Sequence, residues 1–235
     1  MKKIKKFKES DNRKKITKAS TNNGFNVGHD SDFRQKHKTK QYITPYKHPR
    51  KEKYEHRCIM SALSNVPHGT SILNWPCGCS KLLPLLKSLG YNVTSADSSP
   101  DVVSRIRLYG GLLGENCIDD MDDFKVVNIF QTDFDDDFFG AAVINQFFTC
   151  LPVTQIRQMI LKELRRICAG PIVVSLFCNT MIHELKQYEK KYDFALNRKA
   201  IKEEVNKCDL AVKKWIPKIG SRATNSCVVL IRDNN

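Results

Sequence analysis

The strongest constraint on the fold comes from residues 71–103, SILNWPCGCSKLLPLLKSLGYNVTSADSSPDVV. This stretch contains an apolar run, a tight turn, a helix-forming segment that ends at Gly90, a second apolar run and an acid, Asp97. An apolar run that is followed by a helix and a second apolar run predicts a β-α-β unit with parallel strands. Ligands bind such units outside the carboxyl ends of the strands, where the turn and the acid lie. The stretch therefore predicts a nucleotide-type cofactor site.

The rest of the sequence continues the alternation of strands and helices. Predicted strands cover residues 71–75, 91–97, 124–130, 138–148, 171–177, 209–217 and 225–233. Predicted helices cover residues 50–66, 81–90, 100–108 and 152–170, and a helix-prone segment covers 180–207. The helix at 152–170 is amphipathic, because Ile156, Met159, Ile160, Leu164 and Ile167 share one face. The pattern predicts a Rossmann-like, doubly wound α/β sheet of seven strands, mostly parallel, with an antiparallel pair at the C-terminal edge.

Charge divides the chain into two parts. Residues 1–57 hold 18 Lys and Arg against 6 Asp and Glu, which is most of the net charge of +14. Residues 1–45 contain too few apolar side chains to offset the entropy of ordering, so we predict a disordered basic arm there and a folded domain at 46–235. The arm either attracts nucleic acid or another anionic surface through its charge, or is a solvated leader without a specific partner. The second interpretation is preferred.

Cysteine and histidine usage predicts neither disulfides nor a metal site. The nine cysteines include no CxxC pair, and several lie in apolar runs, which indicates buried, reduced thiols. The six histidines show no spacing typical of metal ligands, so no metal is predicted. No apolar run reaches the roughly 18 residues that span a bilayer, and no apolar segment of a secretory signal follows the first lysines. The expected compartment is the cytoplasm, and no membrane span is expected.

Several segments resemble, in order and spacing, the motifs of class I S-adenosylmethionine-dependent methyltransferases. ILNWPCGC at 72–79 resembles the first motif, in the branch whose loop reads Leu-Asp-x-Pro-Cys-Gly-Thr-Gly. FDDDFFGAAVINQFFTCLP at 134–152 resembles the fourth-strand motif, and IRQMILKELRRICAGPIVVSLF at 156–177 resembles the next helix and fifth strand. The resemblance covers about residues 50–233. It implies methyl transfer from S-adenosylmethionine as the activity and cofactor.

The resemblance also implies roles for residues by their position. The loop at 76–79 would line the methionine part of the cofactor, and Asp97 would accept hydrogen bonds from the ribose hydroxyls. Asp133 would contact the adenine, with Asp135 as a rival for that role. The implied cofactor-binding residues are Asn74, Pro76, Cys77, Gly78, Cys79, Asp97, Ser98, Asp133, Phe134, Asn145 and Gln146. The implied substrate-binding residues are Phe147 and Phe148, and no catalytic base is identified.

Each of these roles has a structural alternative. Asp97, like Ser98 or Ser99, could cap the helix that begins at Pro100. The acidic run at 133–137 is also typical of a solvated loop. Residues 145 and 146 could simply end a strand, and the two phenylalanines that follow could belong to the core.

Four places depart from the pattern of the family. Asn74 stands where an aspartate is usual, and loses the charge assistance that roughly doubles the strength of a hydrogen bond. Ser80 replaces a glycine, at a cost of roughly 1 kcal/mol or more if the position requires a positive φ. Gly140 replaces a common aspartate, and residues 149 and 150 replace two frequent histidines.

Three functions remain open from the sequence. The preferred one is methyl transfer to a small-molecule acceptor. The departures motivate the second, a degenerate methyltransferase fold that serves as a binding or interaction module. The third is an RNA-directed methyltransferase that uses the basic arm at 1–45 to deliver its substrate. A dinucleotide dehydrogenase agrees poorly with the single glycine in the loop at 76–80.

Overall fold

Seven strands form one sheet in the computed structural model, which describes residues 49–78, 80–109, 124–178, 198–216 and 224–233. The strands are β1 (Ser71–Asn74), β2 (Asn92–Asp97), β3 (Phe124–Val126), β4 (Ala141–Ile144), β5 (Ile172–Cys178), β6 (Leu210–Ile216) and β7 (Thr224–Arg232). The helices are α1 (Pro49–Leu63), α2 (Leu83–Ser88), α3 (Pro100–Tyr109), α4 (Thr154–Ile167) and α5 (Arg198–Asn206). A short 3-10 turn covers Phe148–Cys150. The predicted basic arm lies outside the described residues, as do residues 110–123.

The strand order is β3-β2-β1-β4-β5-β7-β6. The first five of these strands pair in parallel, and β7 runs antiparallel to both β5 and β6. The predicted doubly wound sheet with an antiparallel C-terminal pair is therefore confirmed. Because β1 pairs with β2 on one side and β4 on the other, the order reverses beside β1, and a crevice opens at the carboxyl ends there.

Alternating side chains of the central strands face two cores. Leu73, Ala142 and Val174 pack with α4 on one face, where Ile160, Leu161, Leu164 and Ile167 are fully buried. Ile72, Val143 and Val173 pack with α1 and α2 on the other face. The predicted apolar face of α4 was wrong at Met159, which is 46% exposed, because Leu161 fills the core instead.

Several predicted elements are longer than the observed ones. The run at 138–148 gives a strand only at Ala141–Ile144, and the run at 124–130 gives one only at Phe124–Val126. Of the flanking apolar residues, Ile129 and Phe148 are buried, with exposed fractions of 2% and 4%, whereas Phe130 and Phe138 are 37% and 49% exposed. The apolar runs therefore extend beyond the residues that pair in the sheet.

Gly140 and Gly170 mark a close approach between two chain segments. The prediction that Gly170 ends the helix was wrong, since α4 ends at Ile167 and Cys168 is already extended. A Cβ at Gly170 would lie 2.0 Å from the Gly140 carbonyl oxygen, and a Cβ at Gly140 would lie 2.3 Å from Thr70 Cγ2. The close packing around Gly140 therefore explains why the aspartate that is common in the family does not occur there.

Substituting Gly170 with alanine is expected to destabilise the fold by about 1–3 kcal/mol, because backbone must move to admit the methyl group. Urea denaturation measures this change. The neighbouring exposed residue provides a control, since Ala169→Ser should shift the free energy of unfolding by less than about 0.5 kcal/mol. Equal midpoints for the two variants would contradict the close approach.

Candidate cofactor site

The loop at 75–80 leaves β1 and is tied to both neighbouring strands. The Trp75 amide donates to the Val143 carbonyl at 3.1 Å, and the Cys77 amide donates to the Ala96 carbonyl at 2.8 Å. The peptide bond between Trp75 and Pro76 is cis. These contacts hold the loop across the carboxyl ends of β4 and β2, where the crevice opens. Cys79, one of the predicted cofactor residues, lies outside the described residues.

Gly78 gives this loop an open approach to its backbone. Its φ is +50°, and a Cβ built on it would have no atom within 4 Å. Its amide donates to Asp97 Oδ2 at 3.2 Å. Positive φ and open space next to the main chain are the properties that allow a ligand to lie against a glycine.

Asp97 ends β2 and joins the loop to the helix that follows. Its carboxylate is 7% exposed, and Oδ1 accepts a hydrogen bond from the Ser99 amide at 3.0 Å. Ser99 in turn accepts the first helical bond, from Val103. The carboxylate thus contacts both the loop and the start of α3, and its contact with Ser99 is the helix-capping contact that the sequence offered as an alternative. Ser98 is exposed beside it.

Two of the departures from the family pattern meet beneath the loop. Asn74 Nδ2 donates to Ser95 Oγ at 3.3 Å, and the hydroxyl of Ser80 lies 3.3 Å from the same oxygen. All three side chains are buried, with exposed fractions of 0–1%. Asn74 acts here as a donor to β2. The Asn74 amide and the Ser80 hydroxyl both find their hydrogen-bond partner in Ser95. Buried polar groups that are satisfied in this way do not destabilise the loop.

Ser80 has a φ of +56°, which is the strained case that the sequence left open. We expect Ser80→Gly to relieve about 1 kcal/mol of backbone strain, offset in part by the lost hydroxyl contact. Ser80→Ala keeps the strain and loses the hydroxyl, so it should be less stable than Ser80→Gly by about 1 kcal/mol. Thermal unfolding of the three proteins measures the order. An alanine variant as stable as the glycine variant would show that the position is not strained.

The end of β4 carries a second hydrogen-bonded group. Ser175 Oγ donates to Asn145 Oδ1 and accepts from the Gln146 amide at 2.8 Å. Gln146 has a φ of +53°, and its carbonyl accepts from the Thr149 hydroxyl at 3.0 Å. Strained residues that several contacts hold in place are concentrated at functional sites. The structure therefore brings the two predicted residues, Asn145 and Gln146, to the crevice edge of β4.

The two predicted substrate residues have different surroundings. Phe147 is half-buried and packs edge-on against Trp75, with ring centroids 4.9 Å apart. Phe148 is 4% exposed and lies in the core beside α4. Phe147 therefore adjoins the loop, whereas Phe148 presents no surface to the crevice.

Glu55 is a residue of this region that the sequence did not reveal. It lies on α1, is 4% exposed, and accepts a hydrogen bond at Oε1 from Gln146 Nε2 at 2.9 Å. The sequence offered one signal for Glu55, which is an acid on the apolar face of a predicted helix, one turn before Ile59. Its partner is 91 positions away in the sequence, so the contact itself was not predictable.

Cys58 lies about one turn further along α1 and pairs with Cys227 of β7. The Cys58 pKa is lowered to about 6, first because the Cys227 thiol hydrogen-bonds to it, although burial opposes the shift. The same hydrogen bond, together with burial, raises the pKa of Cys227. Six described cysteines are not in disulfide bonds: Cys58, Cys77, Cys150, Cys168, Cys208 and Cys227.

The structure does not bring Asp133 and Phe134 together with Gly78 and Asp97. Thr132 bonds to Glu163 at 2.6 Å, and the Phe134 carbonyl accepts from Arg166 at 2.9 Å, so this segment follows the last turns of α4. Burial alone would raise the pKa of Glu163, but hydrogen bonds from Arg166 and Thr132 outweigh it and lower the pKa. Asp133 and its rival Asp135 are both exposed on this segment.

Asn128 lies closer to the end of β3 than Asp133 does. The amide of Val127 donates to the Asp97 carbonyl at 2.9 Å, so the residue that follows lies just beyond the paired ends of β2 and β3. Asn128 is exposed, and its Oδ1 accepts from the Phe130 amide at 3.2 Å. The prediction placed the strand end four residues too late, which displaced the candidate along the chain.

Among the described residues, no group of three or more His, Cys, Asp and Glu side chains could hold a metal ion. No described helix has the length and apolar character needed to cross a membrane.

Comparisons with known proteins give the architecture but no close relative. No family model and no curated protein matches the sequence. A solved S-adenosylmethionine-dependent methyltransferase from Methanosarcina mazei is similar, with a TM-score of 0.60 and 19% identity over 71% of this chain and 94% of that one. The magnesium protoporphyrin IX methyltransferase of Synechocystis was solved with bound S-adenosylhomocysteine. It has a TM-score of 0.60 and 12% identity over 88% of this chain and 96% of that one.

A third solved structure carries the same fold with a different acceptor. The geranyl diphosphate C-methyltransferase of Streptomyces coelicolor, in complex with S-adenosylhomocysteine, gives a TM-score of 0.56 and 13% identity over 82% of this chain and 87% of that one. All three structures resemble this chain in fold, although fewer than one residue in five is identical. The chain therefore has the fold of the class I S-adenosylmethionine-dependent methyltransferases.

Proposed function

We propose that this protein is an S-adenosylmethionine-dependent methyltransferase that acts on a small-molecule acceptor. The observation that carries this proposal is the joined pair of Gly78 and Asp97 at the switch point of the sheet. An open glycine backbone and a buried carboxylate on the adjacent strand suit the amino-acid part and the ribose of an adenosyl amino acid. Asp97 would accept from the ribose hydroxyls, since a carboxylate accepts at up to about four sites.

The other parts of the cofactor would follow the crevice in both directions from this pair. Asn128, beyond β3, would lie beside the adenine in place of Asp133. The methionine part would follow Cys77 and Gly78 toward β4. Asn145, Gln146 and Phe147 would border the methyl group and the acceptor.

S-adenosylmethionine supplies an electrophilic methyl group on a sulfonium sulfur. The chain then has to align an acceptor atom with that methyl group and exclude water from the crevice. Alignment alone contributes several kcal/mol to such a reaction. The half-buried ring of Phe147, packed on Trp75, gives the acceptor side a fixed apolar wall.

The departures from the family pattern do not support a lost site. Asn74 and Ser80 are joined through Ser95, and a Cβ at Gly140 would lie 2.3 Å from Thr70 Cγ2. Each substitution therefore has a local structural role beneath or behind the loop. This favours a working cofactor site over a degenerate binding module.

The acceptor class is tested with S-adenosylmethionine that carries a radioactive methyl group. The protein is incubated separately with a small-metabolite fraction and with total RNA, and a variant that lacks residues 1–45 is run beside it. We expect label in the small-molecule fraction, with equal rates for the two proteins at low and high salt. Label in RNA that falls with the deletion and steeply with salt would instead establish the RNA-directed activity.

A further inference from the structure

Glu55 lies at the carboxyl edge of the sheet although it belongs to α1. The carboxyl end of that helix lies at the opposite edge, where the Leu63 carbonyl accepts a hydrogen bond from the Tyr91 hydroxyl beside the start of β2. The earlier turns of α1 therefore lie toward the crevice, and there Glu55 meets Gln146 at 2.9 Å. A glutamate is rarely buried to 4% exposure without a specific use or partner.

Gln146 holds this carboxylate in a fixed position. Its amide is bound by Ser175 Oγ, its carbonyl accepts from Thr149, and its φ of +53° is maintained by these contacts. From this fixed backbone, the side-chain amide donates to Glu55 Oε1. Gln146 is in this sense a positioning residue for Glu55.

The pair lies on the side of β1 opposite to Asp97. Asp97 ends β2, whereas Gln146 follows β4, and these two strands flank β1. The next residue after Gln146, Phe147, packs on Trp75 at the start of the loop. If Asp97 binds the ribose, then Glu55 lies in the direction of the sulfur and the methyl group.

We propose that Glu55 faces the transferable methyl group and that the acceptor is an amine, an inference that rests on the proposed methyltransferase function. A buried carboxylate favours a cationic partner. The lone pair of the neutral amine nitrogen forms the new bond to the methyl carbon, the carbon–sulfur bond breaks, and its electron pair goes to sulfur. The positive charge moves from sulfur to nitrogen, and the Glu55 carboxylate accepts a hydrogen bond from the resulting ammonium. The surplus proton then leaves to water.

The test compares two ligands that differ at the methyl position. In sinefungin a CH–NH3+ group replaces the sulfur and its methyl group, whereas S-adenosylhomocysteine has a bare sulfur there. Calorimetric titration gives the affinity ratio of the two ligands for the wild-type protein and for Glu55→Gln. The same substitution at Glu203, whose side chain is 63% exposed on α5, is the matched control.

Wild-type protein and Glu203→Gln are expected to bind sinefungin about tenfold more tightly than S-adenosylhomocysteine. Glu55→Gln should bring the two affinities within about twofold, while its affinity for S-adenosylhomocysteine stays within about twofold of wild type. An unchanged ratio in Glu55→Gln overturns the assignment of Glu55. So does equal affinity of the wild-type protein for both ligands, a result that does not depend on whether the variant folds.

The failure of the underlying function gives a different result. In that case the wild-type protein binds neither ligand, and both the cofactor site and the role of Glu55 are rejected. A loss of both affinities by the same factor in Glu55→Gln would place the glutamate on the amino-acid end of the ligand rather than at the methyl group.

Discussion

Asp97→Ala is expected to weaken binding of S-adenosylhomocysteine by 100-fold or more. Hydrogen bonds to a charged group contribute about 1.5–3 kcal/mol each, and two ribose hydroxyls would lose theirs. The Gly78 amide also loses its acceptor, which releases the loop from β2. Calorimetry measures the dissociation constant, and Asp101→Ala, an exposed acid in the first turn of α3, is the control that should retain wild-type affinity.

A purely structural role for Asp97 would give another pattern. The substitution would then lower thermal stability through the lost contacts with Gly78 and Ser99, but ligand affinity measured well below the unfolding transition would stay near wild type. Asp97→Asn refines the comparison, because it keeps the size of the side chain and removes the charge. We expect its affinity to fall between those of the wild-type and alanine proteins.

Arg157→Leu is expected to lower the free energy of unfolding by about 3–5 kcal/mol, because it leaves a buried charge without its partner. Arg157 donates to Glu204 from Nε at 2.9 Å and from Nη2 at 2.6 Å, and the two side chains are 4% and 8% exposed. Arg157 also donates to the Leu151 carbonyl, next to the turn that follows β4. The pair thus joins α4, α5 and the turn that follows β4.

Urea denaturation measures this loss against a matched substitution on the same helix. Arg165 is 37% exposed and lies 4.0 Å from Asp209, so Arg165→Leu should cost less than about 1 kcal/mol. Replacing both Arg157 and Glu204 with leucine should recover much of the stability, since no buried charge remains. A single Arg157 variant no less stable than the Arg165 variant would show that water or another group replaces the ion pair.

The fold was predictable because local pattern and topology agree along most of the chain. The alternation around residues 71–103 gives the parallel pair of β1 and β2, and Gly90, with a φ of +76°, ends α2 as its sequence indicates. The ends of β3 and β4 were not predictable from apolar runs, because Ile129 and Phe139 are buried by tertiary packing outside the named strands. Met159 shows that the same holds for a helix. It belongs to the apolar stripe of α4 but is exposed, because the position of the core decides which side of the stripe is buried.

The candidate site was predictable where its residues follow directly on a strand. Gly78 and Asp97 needed only the end of β1 and the end of β2, and the structure brings them into contact. Asp133 was chosen from a predicted strand end at residue 130, whereas β3 ends at Val126. The contacts of Ser80 with Ser95, and of Glu55 with Gln146, join residues far apart in sequence, and hydrogen-bond partners of this kind follow from packing rather than from local pattern.

Calorimetric titration of the wild-type protein with S-adenosylhomocysteine tests the central claim most directly. We expect a single site with micromolar affinity, accompanied by an increase in the unfolding temperature at saturating ligand. Neither heat of binding nor thermal stabilisation at millimolar ligand would contradict the claim that the loop at 75–80 and Asp97 form a cofactor site.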